Sequence, residues 1–421
     1  MYKKTTLPNG VRIVTEEMSS VHSVSIGFWI GCGSRDENEN EAGLSHFLEH
    51  LLFKGTKNRT SKEIAETFDA VGGHLNAFTT KEYTCLYAKV LVEHFQLALD
   101  VLSDMFFNSA YRNQDIEKEK KVVLEEIKMY LDTPDDIIHD IYSQVVWPDH
   151  SLGKPILGDS NSISGLTREE IVHYFQEHYT ANRLVIAIAG NIEHDMAFEQ
   201  ISKIFTKMPK TSQVRQFSAA SSISNHKCIN KDVEQLQVCL GVPGFAQEDK
   251  DIYSLHILNN VLGGGLSSRL FQKVREDHGL AYSVFSYPST YIDSGLYTIY
   301  AGTSPENFEQ LIGIILEEIN QVKHHGITEE ELKRSKEQIR GNLLLGMEST
   351  SNRMSRLGKT ELCYGRVITA EELTKAISGV SLESVKATAN RLFRKEMFSL
   401  ATMGKTDVSQ PWERLLAISG I

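Results

Sequence analysis

The stretch GLSHFLEHLLFKG, residues 43–55, places two histidines and a glutamate inside an otherwise apolar run. His46, Glu49 and His50 sit among Leu44, Phe47, Leu48, Leu51, Leu52 and Phe53. Burying ionisable groups in such company is costly unless they are paired or bound to a metal. On a helix, positions i and i+4 project about 40° apart, so the two imidazoles can reach one ion. Glu49 lies within about 100° of both and faces the same space without having to be a ligand. A catalytic zinc takes three protein ligands and keeps one position for water, whose proton a nearby carboxylate can accept. The stretch therefore offers two ligands and one base, and a third ligand has to come from elsewhere.

That ligand is sought in DIEKEKKVVLEEIKMYLDTP (115–134), which reads as a helix stopped by Pro134. Val123, Leu124, Ile127, Tyr130 and Leu131 form its expected buried stripe. Glu126 falls at the edge of that stripe, Glu119 lies about two turns earlier on the same flank, and Glu125 points toward solvent. The wheel thus favours Glu126 as ligand and Glu119 as its support. Two rivals stand beside this reading: a closed structural zinc with Glu49 bent in as fourth ligand, and a hydrogen-bonded histidine pair without metal.

The chain of 421 residues is too long for one compact core. Its net charge of −11 makes nucleic acid a poor partner, because phosphate binding wants a basic face. The cysteines, Cys32, Cys85, Cys228, Cys239 and Cys363, are odd in number and form no CxxC pair. That argues against a disulfide framework or a cysteine-rich zinc site, and a reducing compartment is the simpler expectation. MYKKTTLPNGVRIVTEE at the start lacks the apolar block of a secretory signal, and no apolar run reaches membrane-spanning length. A soluble, cytoplasmic protein is expected.

PKTSQVRQFSAASSISNH (209–226) is Ser-rich, opened by a proline, and reads as a linker. The expected organisation is residues 1–209, a linker over 210–226, and residues 227–421. The coarse pattern repeats on either side. VSIGFWIG (24–31) leads through an acidic loop into the motif helix, and LQVCLGVPG (236–244) leads through FAQEDKD into YSLHILNNVLGGG (253–265). Aligning the copies sets His46 on His256, Glu49 on Asn259 and His50 on Asn260. One half keeps the histidine–glutamate set and the other has lost it. Strands and helices alternate without a nucleotide-binding glycine fingerprint. This suggests an α+β chain of two homologous sandwich halves, each a mainly antiparallel sheet with helices packed on it. GGHLNAFTTKEYTCLYAKV (72–90) is the strongest strand region, and GGGLSS (263–268) is expected to end the degenerate helix.

In RDENENEAGLSHFLEHLLFKGT, GGHLNAFTTKEYTCLYAKV and EKEKKVVLEEIKMYLDTPDD, in that order, the chain resembles the pitrilysin-type metallopeptidases. These include insulin-degrading enzyme and the mitochondrial processing peptidases. The length is similar to that of short bacterial processing-protease-like members. The resemblance implies a zinc-dependent endopeptidase acting on unfolded or presequence-like peptides inside a clamshell chamber. It implies His46, His50 and Glu126 as zinc ligands, Glu49 as general base and Glu119 as accessory glutamate. Co2+ or Mn2+ are possible substitutes for the zinc. The substrate would lie as an added strand against Asn76, Ala77 and Phe78. Arg275 and Tyr282, in VREDHGLAYSVFS (274–286), would hold the substrate backbone and the oxyanion. A homodimer with sites completed in trans is expected. The rivals are a catalytically silent peptide-binding or assembly subunit, a chaperone for extended segments, and a His-x-x-Glu-His lyase. The lyase would bring a catalytic cysteine, and no cysteine here stands where the third ligand is expected.

Overall fold

The computed structural model describes residues 2–210, 215, 217, 218 and 220–405. The first sheet is built from β1 (Tyr2–Thr6), β2 (Arg12–Glu17), β3 (Ser23–Ile30), β4 (His74–Thr79), β5 (Thr84–Leu91) and β6 (Leu184–Gly190), in the order β1-β2-β6-β3-β5-β4. The second contains β7 (His226–Asn230), β8 (Leu236–Pro243), β9 (Ala281–Thr290), β10 (Gly295–Thr303) and β11 (Ser399–Gly404), in the order β7-β11-β8-β10-β9. Neighbours are antiparallel except β2 with β6 and β7 with β11. The path β2-β6-β3-β5-β4 is therefore repeated as β7-β11-β8-β10-β9, with its parallel pair in the same place. The α+β class and the duplicated sandwich halves expected from sequence are what the chain adopts.

Strand composition dictates how the sheets are covered. β6 and β10 are buried along their whole length, and β3 and β8 nearly so. Strands apolar at successive positions present an apolar surface on both faces, and each face needs a layer. In the first unit one face packs against the motif helix (Leu44–Leu52) and the helices Phe95–Asn108, Arg168–His178 and His194–Phe205. Its other face, with Trp29, Val185 and Ala187, is covered by Met354 and Leu357 of the helix Thr350–Tyr364. In the second unit the helices Ile252–Gly263, Phe308–His325 and Leu382–Leu392 cover one face. Ile138, Tyr142 and Val145 of the helix Pro134–Val146 cover the other, against Cys239, Tyr300 and Met403.

Each unit thus borrows one helix from the other half of the sequence. The compact units are Met1–Lys128 with Pro155–Phe217 and Leu343–Thr369, and Met129–Lys154 with Ser218–Asn342 and Ala370–Ile421. These differ from the contiguous boundaries 1–209 and 227–421, because a second apolar sheet face is satisfied by any apolar helix and chain order does not say which. The expected linker 210–226 lies partly outside the described residues. The borrowed helix of the first unit approaches its sheet closely. A Cβ added at Gly358 would stand 2.2 Å from the Trp29 indole nitrogen, which donates to Met354 Sδ at 3.3 Å. Among the described residues, no helix is long and apolar enough to cross a membrane.

Candidate metal centre

The motif helix begins at a turn only glycine tolerates. Gly43 has φ +87°, in the left-handed region, and a Cβ there would press on Leu157 O at 2.5 Å. The Glu37 carboxylate accepts the backbone N–H groups of Gly43 at 2.8 Å and Ser45 at 2.7 Å, so the first turn is capped from the preceding loop. Leu44, Phe47, Leu48, Leu51 and Leu52 are buried in the core of the first unit, which turns His46, Glu49 and His50 to the helix's half-open side. The two imidazoles lie side by side, with ring centroids 4.5 Å apart.

The third group arrives on the helix Asn113–Leu131. Its buried positions are Ile116, Glu119, Val123 and Ile127, one stripe at helical spacing. Glu119 belongs to this stripe and is 2% exposed, while Glu125 faces solvent as expected. Leu131, expected in the stripe, is instead exposed along with Met129, because the last turn runs past the core that the helix covers. Pro134 stops this helix and opens the next one at its first turn, where its missing N–H costs nothing.

His46, His50 and Glu126 converge. Glu126 Oε1 stands 3.8 Å from His46 Nε2 and Glu126 Oε2 stands 3.5 Å from His50 Nε2. Those separations are long for hydrogen bonds but close to the edge of a tetrahedron, about 3.4 Å, around an ion bound at about 2.1 Å. The donor set fits a divalent zinc: two imidazoles and one carboxylate, with no thiolate. Burial, reinforced by the neighbouring His50, lowers the His46 imidazole to about 4, so it is neutral near pH 7 and able to ligate. Among the described residues, its buried Nδ1 has no hydrogen-bond partner.

Glu119 fixes the second imidazole. Its Oε1 is 2.8 Å from His50 Nδ1, and its Oε2 is 2.7 Å from Lys54 Nζ. A proton on Nδ1 leaves the Nε2 lone pair for a metal. Burial pushes the Glu119 carboxyl up, but the bonds from His50 and Lys54 outweigh it and hold the group below the usual range. Glu49 goes the other way. Burial raises its carboxyl above the ordinary value, with Glu126 adding to the rise, although Thr79 and His50 oppose it. Thr79 Oγ1 donates to Glu49 Oε2 at 2.6 Å.

Thr79 ends β4, the outer strand of its sheet, beside the motif helix. Asn76, Ala77 and Phe78 pair with Tyr87, Leu86 and Cys85 of β5. Ala77 is buried on the helix side, Asn76 is exposed, and Phe78 packs on Trp29 and Tyr87 on the opposite face. The Ala77 N–H is given to the Asn76 side chain at 2.8 Å rather than to the ladder. A groove of about 690 Å³ runs along this strand, lined among others by Phe53, Ile64, Phe68 and Asn76. In the second unit, Arg275 and Tyr282 meet. The guanidinium lies 4.5 Å from the Tyr282 ring centroid and donates to the Tyr282 carbonyl at 3.1 Å. Tyr282 is 76% exposed.

A second convergence of potential donors, Cys32, Asp36 and His178, is of a different kind. Arg215 Nε binds Asp36 at 2.7 Å and Arg183 binds His178 Nδ1 at 2.9 Å. Two guanidinium groups oppose a cation there, and the cluster is a buried ion-pair network. Reasoning from sequence missed Thr79, Lys54 and Glu37. None carries a signal of its own: Thr79 and Lys54 each matter through one bond made across the fold, and Glu37 through two bonds to the helix start a few residues on.

The model described as Insulinase (Peptidase family M16) matches residues 12–160, and the one described as Peptidase M16 inactive domain matches residues 165–339. The chain belongs to peptidase family M16. A Bacillus subtilis chain named uncharacterized zinc protease YmxG is 48% identical, over 94% of this chain and 97% of its own length. An uncharacterized zinc protease of Streptomyces coelicolor is 40% identical, over 96% of this chain and 89% of its own. Among solved structures, a protease from Helicobacter pylori matches with a TM-score of 0.89 at 21% identity, covering 96% of this chain and 99% of that one. A structure titled peptidase M16 inactive domain, from Pseudomonas fluorescens, matches with a TM-score of 0.90 at 19% identity, covering 98% and 99%. These two speak for the M16 fold. The inactive M16 domain model falls on the half in which Asn259 and Asn260 stand where the first half has Glu49 and His50.

Proposed function

We propose that this M16 chain is a zinc-dependent endopeptidase that hydrolyses unfolded or presequence-like peptides. The carrying observation is the convergence of His46, His50 and Glu126 at tetrahedral spacing, beside a Glu49 whose carboxyl is raised by burial. His46, His50 and Glu126 would hold the ion, and Glu119 would orient His50. When bound, zinc supplies Lewis-acid polarisation of the scissile carbonyl and activates water near neutral pH. Glu49 takes the proton from the attacking water and later delivers it to the leaving amine. The outer edge of β4, at Asn76, Ala77 and Phe78, offers main-chain groups to an extended peptide, the Ala77 N–H being released as Asn76 turns away. Arg275 and Tyr282 would steady the substrate backbone and the developing oxyanion. They would do so for the centre of a second subunit in a homodimer.

The test is Glu49→Gln in the full chain, read by peptide-library cleavage and metal analysis. Zinc content should match the parent, and turnover should fall by about 10²–10⁴, the scale of a positioned general base. Efficient cleavage by this variant would overturn the assignment. Parent protein that binds peptides without cutting them would point to a silent subunit.

A further inference from the structure

Glu49 has three side-chain torsions and sits at a half-open surface, so something has to hold its carboxylate in one place. Among the described residues, the direct hydrogen bond the structure gives it is the one from Thr79 at 2.6 Å. Thr79 is itself tightly placed. It pairs with Thr84, which is buried and donates to Cys32 O at 3.0 Å. The turn that follows is closed by Thr80, which donates to Tyr83 O through both its backbone N–H (2.8 Å) and its hydroxyl (2.9 Å). A β-branched side chain on a fixed strand has little χ1 freedom, so its hydroxyl keeps one direction. The pleat sends Ala77 and Thr79 to the same face, toward the motif helix.

The degenerate half carries a similar contact, made from a different point of its edge strand. Asn259, at the position aligned with Glu49, accepts from Ser286 Oγ at 2.8 Å, and Ser286 lies on β9, the outer strand of its sheet. A latch from helix to edge strand therefore occurs in both halves. Only in the first does it end on a group able to accept a proton.

From these contacts we infer that Thr79 is a positioning residue for the general base. Its hydroxyl seats Glu49 Oε2 and leaves Oε1 to take the proton, and it does so from the strand proposed to receive the substrate. Base alignment and peptide docking thus share one rigid element. The inference rests on the endopeptidase reading and deepens it.

The experiment compares Thr79→Val, which keeps shape and removes the donor, with Thr79→Ser, which keeps the donor. A hydrogen bond to a charged group corresponds to about tenfold to a hundredfold in rate. Thr79→Val should lose that much kcat with KM and zinc content unchanged, and Thr79→Ser should recover most of it. Crystal structures of the metal-free proteins give a readout independent of turnover. Glu49 should hold one rotamer in the parent and the Ser variant, and several in the Val variant. Parent-like kcat in Thr79→Val, equal losses in both variants, or an unmoved Glu49 in the Val structure overturns the inference. If Glu49→Gln is inactive while Thr79→Val is normal, the latch alone fails. If Glu49→Gln cleaves well, the general-base reading fails with it.

Discussion

Glu119→Gln is the sharpest perturbation of the candidate metal centre that leaves its three proposed ligands untouched. The Glu119 carboxylate is buried and serves two donors, His50 Nδ1 at 2.8 Å and Lys54 Nζ at 2.7 Å. An amide of the same shape keeps one acceptor oxygen and turns an NH₂ toward the other donor. The Lys54 side chain is 38% exposed and can turn to water, but His50 is held by its helix. The amide therefore keeps its oxygen on His50 Nδ1 and turns its NH₂ toward the space Lys54 leaves, so the imidazole keeps its tautomer but its acceptor loses the negative charge. A hydrogen bond to a charged partner contributes about 1.5–3 kcal/mol against about 0.5–1.5 for a neutral one, and the difference of about 1–1.5 kcal/mol is about fivefold to tenfold in zinc affinity. Substituting partners of metal-bound histidines typically costs about tenfold to a hundredfold, and this conservative change falls at the lower end. The assay is competition for zinc against a chromophoric chelator, with a thermal melt in parallel to show that the chain is folded. Unchanged zinc affinity in a normally melting Glu119→Gln protein would refute the reasoning.

Two further outcomes follow, one from the fold and one from the proposed homodimer. Gly358→Ala puts a Cβ about where the Trp29 indole now lies, 2.2 Å from its nitrogen, so helix and sheet must separate; a loss of about 1–3 kcal/mol in a denaturant titration is expected, and an unchanged midpoint would show that this contact is not close. Mixing an Arg275→Ala chain with a Glu49→Gln chain should restore cleavage above either variant alone, since a mixed dimer carries one intact pairing; no gain in a sample verified as dimeric would exclude sites completed in trans.

Local spacing made much of the centre legible. His46, Glu49 and His50 lie within two turns of one helix, so elementary helix geometry sets their relation before any tertiary contact forms. Glu126 was harder. The wheel ranked it over Glu125 by its flank of the helix, and the structure places it 3.5 Å from His50, a proximity that depends on how two helices pack. The misplaced Leu131 shows the limit of the same wheel: periodicity tells which face of a helix is apolar, but not how far along the helix the covering core extends. Thr79 and Lys54 lay beyond reach, because each acts through one bond to a residue distant in sequence.

By itself, the sequence determined the candidate metal-ligating pair with its neighbouring glutamate, the α+β class and the duplication with one half stripped of the motif. Each is written in short-range periodicity or in repeated order. Only the tertiary structure decided which helix covers the second face of each sheet, and so drew units that the chain enters more than once. Apolar faces are interchangeable to the hydrophobic effect, which is proportional to area and carries no address. Shape at close approach, as where Gly358 lets a helix settle on Trp29, selects the partner.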